Sequence, residues 1–298
     1  MRQKPTAQLR NLLLQKAFFT APGVYDAFSA LVAERVGFPA LYMTGYGTVM
    51  AHLGLPDAGL GTYSDFVGRL SAIVDRTNVP VIADADTGFG GLVNLRQTVR
   101  GYEKAGASAI QIEDQEFPKR CGHTEGKRVI PAEDMVLKIR VALDTRIDDD
   151  FCIIARTDAR NVLGLDEALR RATLYAEAGA DIIFVEAPES EAEMARIAAE
   201  IDAPLVANMT AKGSRTPEIA AEKLEAMGYA LAIHPGLAML SAAAAMQQAL
   251  EHLKTHRSTV SLDMPMFSLE EMHELVGFPE IWAFEKRWGD EAPEMPRR

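Results

Sequence analysis

Eight short apolar runs, each separated from the next by a longer stretch with helical periodicity, are the feature of this 298-residue sequence that most limits its fold. Strands that alternate with helices in this way form parallel βαβ units. Eight units within about 240 residues match a closed (β/α)8 barrel, which takes about 250 residues, better than an open doubly wound sheet. We therefore predict an α/β fold, a (β/α)8 TIM-type barrel, with strands at Ala17–Thr20, Ala40–Thr44, Val79–Asp84, Ala109–Glu113, Phe151–Arg156, Ile182–Glu186, Pro204–Asn208 and Leu231–His234.

The chain is expected to form one domain, 1–298, with the barrel at about 17–254 and a C-terminal helical tail at about 255–298. The strand and helix alternation stops after Thr255, and the tail carries the apolar and aromatic stretches Met264–Phe267 and Phe278–Trp288. A tail of this kind usually packs on its own molecule or on a neighbouring subunit.

Charge and composition exclude several classes of partner. The 31 basic and 42 acidic residues give a net charge of −11, which repels both a nucleic-acid backbone and an anionic membrane. The sequence contains neither a signal-peptide core nor about 18 consecutive apolar residues, so we expect a cytoplasmic protein. Its two cysteines, Cys121 and Cys152, are then free thiols, and Cys152 lies in an apolar run typical of the core.

Polar residues follow most of the predicted strands. In a parallel barrel these strand ends meet at one mouth, where the catalytic residues of this architecture lie. The set comprises Thr44, Asp84, Asp86, Glu113, Asp114, Arg156, Asp158, Glu186, Asn208 and His234. His234 is equally well explained as the end of the last strand.

Asp84, Asp86 and Glu113 follow neighbouring strands and supply hard oxygen ligands. Clustered carboxylates repel one another unless they are protonated or bridged by a cation, and Mg²⁺ binds a few carboxylates while it keeps several waters. The pattern predicts a magnesium site, with Mn²⁺ as an alternative metal. For Asp86 alone, capping of the following helix explains the residue as well.

A loop of about 17 residues between Glu113 and Pro131 carries the sequence KRCGH at 119–123 and is longer than most βα connections. The neighbouring cations favour the thiolate of Cys121, which could then act as an acid, a base or a nucleophile. The alternative is a bystander thiol in a basic loop. Arg156 could hold a substrate carboxylate, or it could form only a salt bridge to Asp158 or Glu186.

These residues resemble those of the isocitrate lyase and phosphoenolpyruvate mutase superfamily over about residues 10–255. The matching stretches are YMTG at 42–45, LGLPD at 53–57, ADADTGFG at 83–90, IEDQ at 112–115, KRCGH at 119–123 and ARTDA at 155–159. The resemblance implies a magnesium-bound (β/α)8 barrel that forms a homotetramer, in which paired subunits exchange the eighth helix. It also implies a small 2-oxo or 2-hydroxy carboxylate substrate that reacts through an enolate.

The resemblance assigns roles residue by residue. Asp84 corresponds to the direct metal ligand, and Asp57, Asp86 and Glu113 to carboxylates that hold metal-bound waters. Cys121 corresponds to the acid that protonates the enolate. The substrate-binding residues are Tyr42, Thr44, Gly45, Tyr46, Gly122, His123, Glu186 and Asn208, together with Arg156.

Within the superfamily, the loop cysteine is typical of C–C lyases rather than of phosphorus–carbon mutases and hydrolases. Thr124 stands where methylisocitrate lyases have arginine, and the segment 208–213 also departs from their pattern. The sequence around Thr124, the segment 208–213 and Pro235 look closer to those of 2,3-dimethylmalate and 2-alkylmalate lyases. We expect retro-aldol cleavage of a 2-alkylmalate; the alternatives are a methylisocitrate lyase, a mutase-type or oxaloacetate-processing enzyme, and an inactive barrel kept for assembly.

Overall fold

The computed structural model describes residues 3–122, 124, 126–210 and 214–289. Eight parallel strands form a closed barrel in chain order, and the last strand pairs with the first. The predicted (β/α)8 barrel is therefore confirmed. The strands are β1 Phe19–Val24, β2 Leu41–Met43, β3 Val81–Asp84, β4 Ala109–Glu113, β5 Cys152–Thr157, β6 Ile182–Val185, β7 Leu205–Asn208 and β8 Leu231–His234.

The helices of the described residues surround the barrel or follow it in sequence. They are α1 Pro5–Leu14, α2 Ala27–Val36, α3 Gly45–Leu53, α4 Tyr63–Val74, α5 Leu92–Lys104, α6 Ala132–Thr145, α7 Arg160–Leu163, α8 Leu165–Glu177, α9 Glu191–Glu200, α10 Ala221–Met227, α11 Leu237–His256, α12 Leu269–Val276 and α13 Phe278–Gly289.

The strands are buried on both faces, which explains why they read as continuous apolar runs. Side chains that point inward, such as Ile82, Ile154 and Phe184, fill the inside of the barrel. Those that point outward, such as Ile110 and Ile153, pack against the helices. The two layers leave the carboxyl ends of the strands free to carry polar residues.

Helix α1 closes the opposite end of the barrel. Its Leu9 is fully buried in the same cluster as Phe19, the first residue of β1. Arg10 binds Asp181, which directly precedes β6, with 2.7 Å between Nη1 and Oδ1. The sequence analysis did not predict this helix.

Strand β1 is longer than predicted, since it continues from Phe19 to Val24 through Pro22 and Gly23. These residues usually interrupt strands. Here the strand continues because it pairs on both sides, with Pro22 opposite His234 and Gly23 opposite Tyr42.

The chain divides into two compact units, 1–242 and 243–298. In the second unit, α12 and α13 contact each other through aromatic rings, with 4.5 Å between the ring centroids of His273 in α12 and Phe278 in α13. Trp282 and Trp288 are exposed. Within the described part of the chain, no helix has the length and apolar character needed to cross a membrane.

Candidate active site

A pocket of about 310 Å³ lies at the carboxyl ends of the strands and collects most of the predicted site residues. The backbone N–H groups of Gly45 and Asp86 contact the lining residue Asp84, and His123 lies outside the described residues. The predicted residues in its lining are Tyr42, Thr44, Tyr46, Asp57, Asp84, Glu113, Cys121, Gly122, Arg156, Glu186 and Asn208.

Asp84 ends β3 and is held by backbone amides. Its Oδ2 accepts a hydrogen bond from the N–H of Gly45 at 3.2 Å, and its Oδ1 accepts one from the N–H of Asp86 at 3.0 Å. Gly45 is the first residue of α3, and a Cβ at this position would lie only 2.5 Å from Asp84 Oδ2. The absence of a side chain at Gly45 therefore makes room for Asp84.

Lys119 is a site residue that the sequence analysis did not assign. It is buried, its Nζ lies 2.8 Å from Asp86 Oδ1, and it also forms an ion pair with Asp57. The alternative role of Asp86 as a helix cap is wrong, because α5 begins after Gly91 without a side-chain cap. The sequence feature that could have indicated Lys119 is a basic residue in the loop that follows the acidic residues at the ends of the strands.

Burial makes the charged state of Asp86 and of Glu113 unfavourable. It raises the pKa of Asp86 to about 7, although Lys119 acts in the opposite direction. Burial likewise raises the pKa of Glu113 well above its usual range, despite the nearby Arg156. The Oε1 atom of Glu113 is buried without a hydrogen-bond partner among the described residues. An added cation would relieve these costs.

The donor set fits a hard divalent cation. The buried carboxylates Asp57, Asp84, Asp86, Glu113, Asp158 and Glu186 outnumber the buried cations Lys119, Lys127 and Arg156. Within the described ranges, no three acidic, His or Cys side chains converge as a ready-made metal cage. A cation such as Mg²⁺ does not require one, because it keeps several waters and uses one or two carboxylates directly.

Arg156 lines the pocket and is also paired, so both predicted roles of this side chain are compatible with its position. Asp158 accepts from Nε at 2.8 Å and from Nη2 at 3.0 Å. Nη1 lies 3.2 Å from Glu186 Oε2, and Nε lies 3.4 Å from Glu113 Oε2. Burial lowers the pKa of Arg156, but these carboxylates outweigh it and raise the pKa well above its usual value. The guanidinium therefore stays charged.

Cys121 lies in the connection 114–131, which leaves the barrel after β4 and returns at α6. A bridge between Gln115 and Val129 closes the base of this loop. At its tip, the N–H of Cys121 donates to the carbonyl of Asp57 at 3.2 Å. This bond brings the partly buried thiol into the pocket lining.

The remaining predicted binding residues surround these groups. The hydroxyl of Tyr42 donates to Gln111 Oε1 at 3.2 Å, and Thr44 caps α3 by accepting from the N–H of Gly47 at 3.3 Å. Asn208 donates to both carboxylate oxygens of Glu186, at 3.3 and 3.2 Å. Its own Oδ1 is buried without a partner among the described residues and is available to a ligand.

One wall of the pocket is apolar, and the sequence analysis did not predict this. Pro235 follows β8, while Met239 and Leu240 belong to the first turn of α11. His234 instead lines a separate cavity of about 400 Å³ with Thr20. The sequence HPGLAML at 234–240, which begins at the final residue of the last predicted strand, is the feature that could have indicated the apolar wall.

Comparisons with known proteins agree with this geometry. The family model for phosphoenolpyruvate phosphomutase matches residues 9–254. The chain is 49% identical to 2,3-dimethylmalate lyase of Eubacterium barkeri, over 92% of this chain and 95% of that protein. It is 43% identical to 2-methylisocitrate lyase of Aeropyrum pernix, over 96% of this chain and 90% of that protein. A structure of oxaloacetate acetylhydrolase with the inhibitor 3,3-difluorooxalacetate superposes with a TM-score of 0.90 at 33% identity, over 98% of this chain and 100% of that chain.

Proposed function

Because the chain belongs to the phosphoenolpyruvate phosphomutase/isocitrate lyase superfamily, in which it is a C–C lyase, we propose that it cleaves a 2-alkylmalate such as 2,3-dimethylmalate. The relatives named above include 2,3-dimethylmalate lyase and 2-methylisocitrate lyase. The proposed products are a 2-oxo acid and a second carboxylic acid.

One observation carries the proposal: a single pocket has a charged side and an apolar side. Arg156 and the carboxylates at the strand ends form the charged side, next to Cys121. Pro235, Met239 and Leu240 form the apolar side. A substrate with two carboxylates and alkyl substituents matches both halves, because apolar groups gain by leaving water and charged groups need fixed partners.

We propose Mg²⁺ or Mn²⁺ as the metal, with Asp84 as its direct ligand. Asp57, Asp86 and Glu113 would hold its waters through their carboxylate oxygens. When bound, the metal stabilises negative charge that develops on substrate oxygens. Lys119 forms ion pairs with both Asp57 and Asp86 and so holds the two carboxylates together.

Substrate binding and the two proton transfers are assigned to side chains of the pocket. Arg156 binds the carboxylate next to the hydroxyl-bearing C2. Asn208 orients Glu186 through its two hydrogen bonds, and the hydroxyl proton passes to a glutamate of the pocket, Glu113 or Glu186. The C2–C3 bond breaks, the C2 oxygen becomes the 2-oxo group, and the electron pair moves to C3 and its carboxylate. The thiol of Cys121 then gives its proton to C3. For 2,3-dimethylmalate, the products are pyruvate and propionate.

The loop also bears on which substrate is accepted. Thr124 is exposed and uncharged, so it offers no charge to a third carboxylate. A site that lacks the partner of a charged group discriminates strongly against substrates that carry it. This favours a dicarboxylate over 2-methylisocitrate.

The test is a cleavage assay with magnesium on 2,3-dimethylmalate, other 2-alkylmalates, 2-methylisocitrate, isocitrate, oxaloacetate and phosphonopyruvate, with detection of the 2-oxo acid. We expect the alkylmalates to give the highest kcat/KM. Preference for 2-methylisocitrate or for oxaloacetate would refute the proposed substrate but would leave C–C bond cleavage as the reaction. Turnover of phosphonopyruvate alone would overturn the lyase proposal.

We also propose a cytoplasmic homotetramer in which paired subunits exchange α11. The cavity beside His234 supports the exchange, because it lies against β1, β8 and α10, where a barrel helix would be expected. In α11, Met246, Leu250 and Leu253 are exposed. A partner subunit would bury such side chains.

A further inference from the structure

We propose that Lys127 is a positioning residue, which fixes the loop that carries Cys121 relative to Arg156. The inference rests on the proposed function, since it takes the Cys121 thiol as the proton donor. Lys127 belongs to the same loop, six residues after Cys121 in the sequence, and its side chain is buried.

The ammonium group of Lys127 contacts two parts of the site at once. It donates to the carbonyl oxygen of Gly122, and it lies 3.0 Å from Asp158 Oδ1. A buried ammonium is costly unless its partners replace the lost hydration. Lys127 therefore connects the tip of the loop to the residue that follows β5.

Asp158 gives this contact a fixed anchor. Its Oδ1 also accepts from Arg156 Nη2, and its Oδ2 accepts from Arg156 Nε. The backbone N–H of Asp158 donates to Asp114 Oδ1 at 2.8 Å. Asp114 is held in turn by Tyr175 and Arg171 of α8, at 2.8 and 3.0 Å. A single buried carboxylate thus sets the positions of both the loop lysine and the substrate-facing arginine.

Gly122 shows how closely the loop approaches this anchor. A Cβ at this position would lie 2.5 Å from Arg156 Nη2 and 2.9 Å from the Cγ of Glu186. The backbone of the loop therefore rests directly on the Arg156–Glu186 pair. Because Cys121 is the preceding residue, fixing the Gly122 carbonyl fixes where the thiol lies.

The contact is not needed to close the loop. The bridge between Gln115 and Val129 and the hydrogen bond from the Ile130 N–H to the Asp114 carbonyl, at 2.9 Å, already hold its base. Lys127 acts on the tip, where the proton donor is. Its effect should therefore appear in the behaviour of the thiol more than in the stability of the barrel.

The test is the rate at which iodoacetamide alkylates Cys121 in the full-length protein, with the site identified by mass spectrometry. Lys127→Met removes the ammonium and keeps a long side chain. Arg128→Met is the matched control, because Arg128 is the next residue and its side chain forms an exposed ion pair with Glu116. We expect alkylation about ten- to a hundredfold faster in Lys127→Met, the usual effect of losing a hydrogen bond to a charged group, and unchanged in Arg128→Met.

Gly122→Ala is the second variant, since it keeps Lys127 but places a methyl group against Arg156. It should also speed alkylation. Circular dichroism and melting curves establish that each variant is folded. An unchanged alkylation rate in folded Lys127→Met overturns the proposal, and if that variant does not fold, an unchanged rate in Gly122→Ala does so.

Kinetics on the accepted substrate separate positioning from binding. With the proton donor misplaced, kcat of Lys127→Met should fall at least about tenfold while KM changes less than about threefold. A wild-type kcat would overturn the role of Lys127. Alkylation needs no substrate, so an unsuccessful substrate search would refute the proposed function without affecting this test.

Discussion

Cys121 and Cys152 are the same side chain in opposite surroundings. Cys121 is partly exposed in the pocket, whereas Cys152 is buried inside the barrel, where burial raises its pKa to about 12. Only the thiolate reacts with alkylating reagents, so a raised pKa keeps Cys152 protonated and unreactive. At pH 8, iodoacetamide should label Cys121 alone. Labelling of Cys152 in the folded protein, seen by peptide mass spectrometry, would contradict the burial of its thiol.

The division of work within the pocket predicts two different kinds of defect. Cys121→Ser should lower kcat at least about a hundredfold, the usual effect of losing a general acid, while Mg²⁺ binding stays nearly intact. Asp84→Ala should abolish both Mg²⁺ binding and turnover. Calorimetric titration with Mg²⁺ and steady-state kinetics measure the two properties. A wild-type rate in either variant would remove that residue from the mechanism.

At the scale of elements, the start of α3 is built around the carboxylate of Asp84. Gly45→Ala would place a methyl group 2.5 Å from Asp84 Oδ2, so either the helix or the carboxylate must shift. We expect a loss of about 1–3 kcal/mol of stability and weaker Mg²⁺ binding. The control is Gly68→Ala in α4, where an added methyl group meets nothing within 4 Å. Chemical denaturation should show Gly68→Ala to be at least as stable as the wild type.

Helix α1 contributes to stability at the end of the barrel opposite the pocket. Leu9→Ala removes a fully buried side chain and should cost about 2–5 kcal/mol of unfolding free energy. Leu14, at the end of the same helix, is 70% exposed, and its replacement by Ala should change stability by less than about 0.5 kcal/mol. Both variants should keep the wild-type KM. A raised KM in Leu9→Ala would mean that α1 influences the pocket.

At the scale of the whole molecule, the exposed apolar side chains of α11 predict association of subunits. Leu250 is 64% exposed, and Leu250→Glu would place a charge in the proposed subunit contact. We expect a shift from tetramer to smaller species in light scattering coupled to size exclusion, because burying an unpaired charge is unfavourable. Gln248→Glu, on the same helix, is the matched control and should leave the assembly unchanged. A monomeric wild-type protein would refute the exchange of α11.

Much of the fold could be predicted, because parallel strands buried on both faces leave a strong apolar signal. The bounds of β4 and β8 coincide with the prediction, and β5 differs by one residue at each end. Helix α1 and the extension of β1 were missed. Leu9 is the only buried residue of α1, and the proline of β1 is tolerated because of its neighbours. Neither the burial of Leu9 nor the pairing that accommodates the proline of β1 can be recognised from the local sequence.

The sequence by itself determined the barrel and the chemical types at its mouth, because strand periodicity and the order of polar residues are local properties of the chain. Only the tertiary structure decided which of these groups are partners. The pairing of Lys119 with Asp57 and Asp86, and that of Lys127 with Asp158, join segments far apart in sequence. The same holds for the apolar wall, which lines the same pocket as Arg156 only because closure of the barrel brings β8 and the start of α11 to the shared mouth. Contacts of this kind depend on distances in space, which the order of residues does not contain.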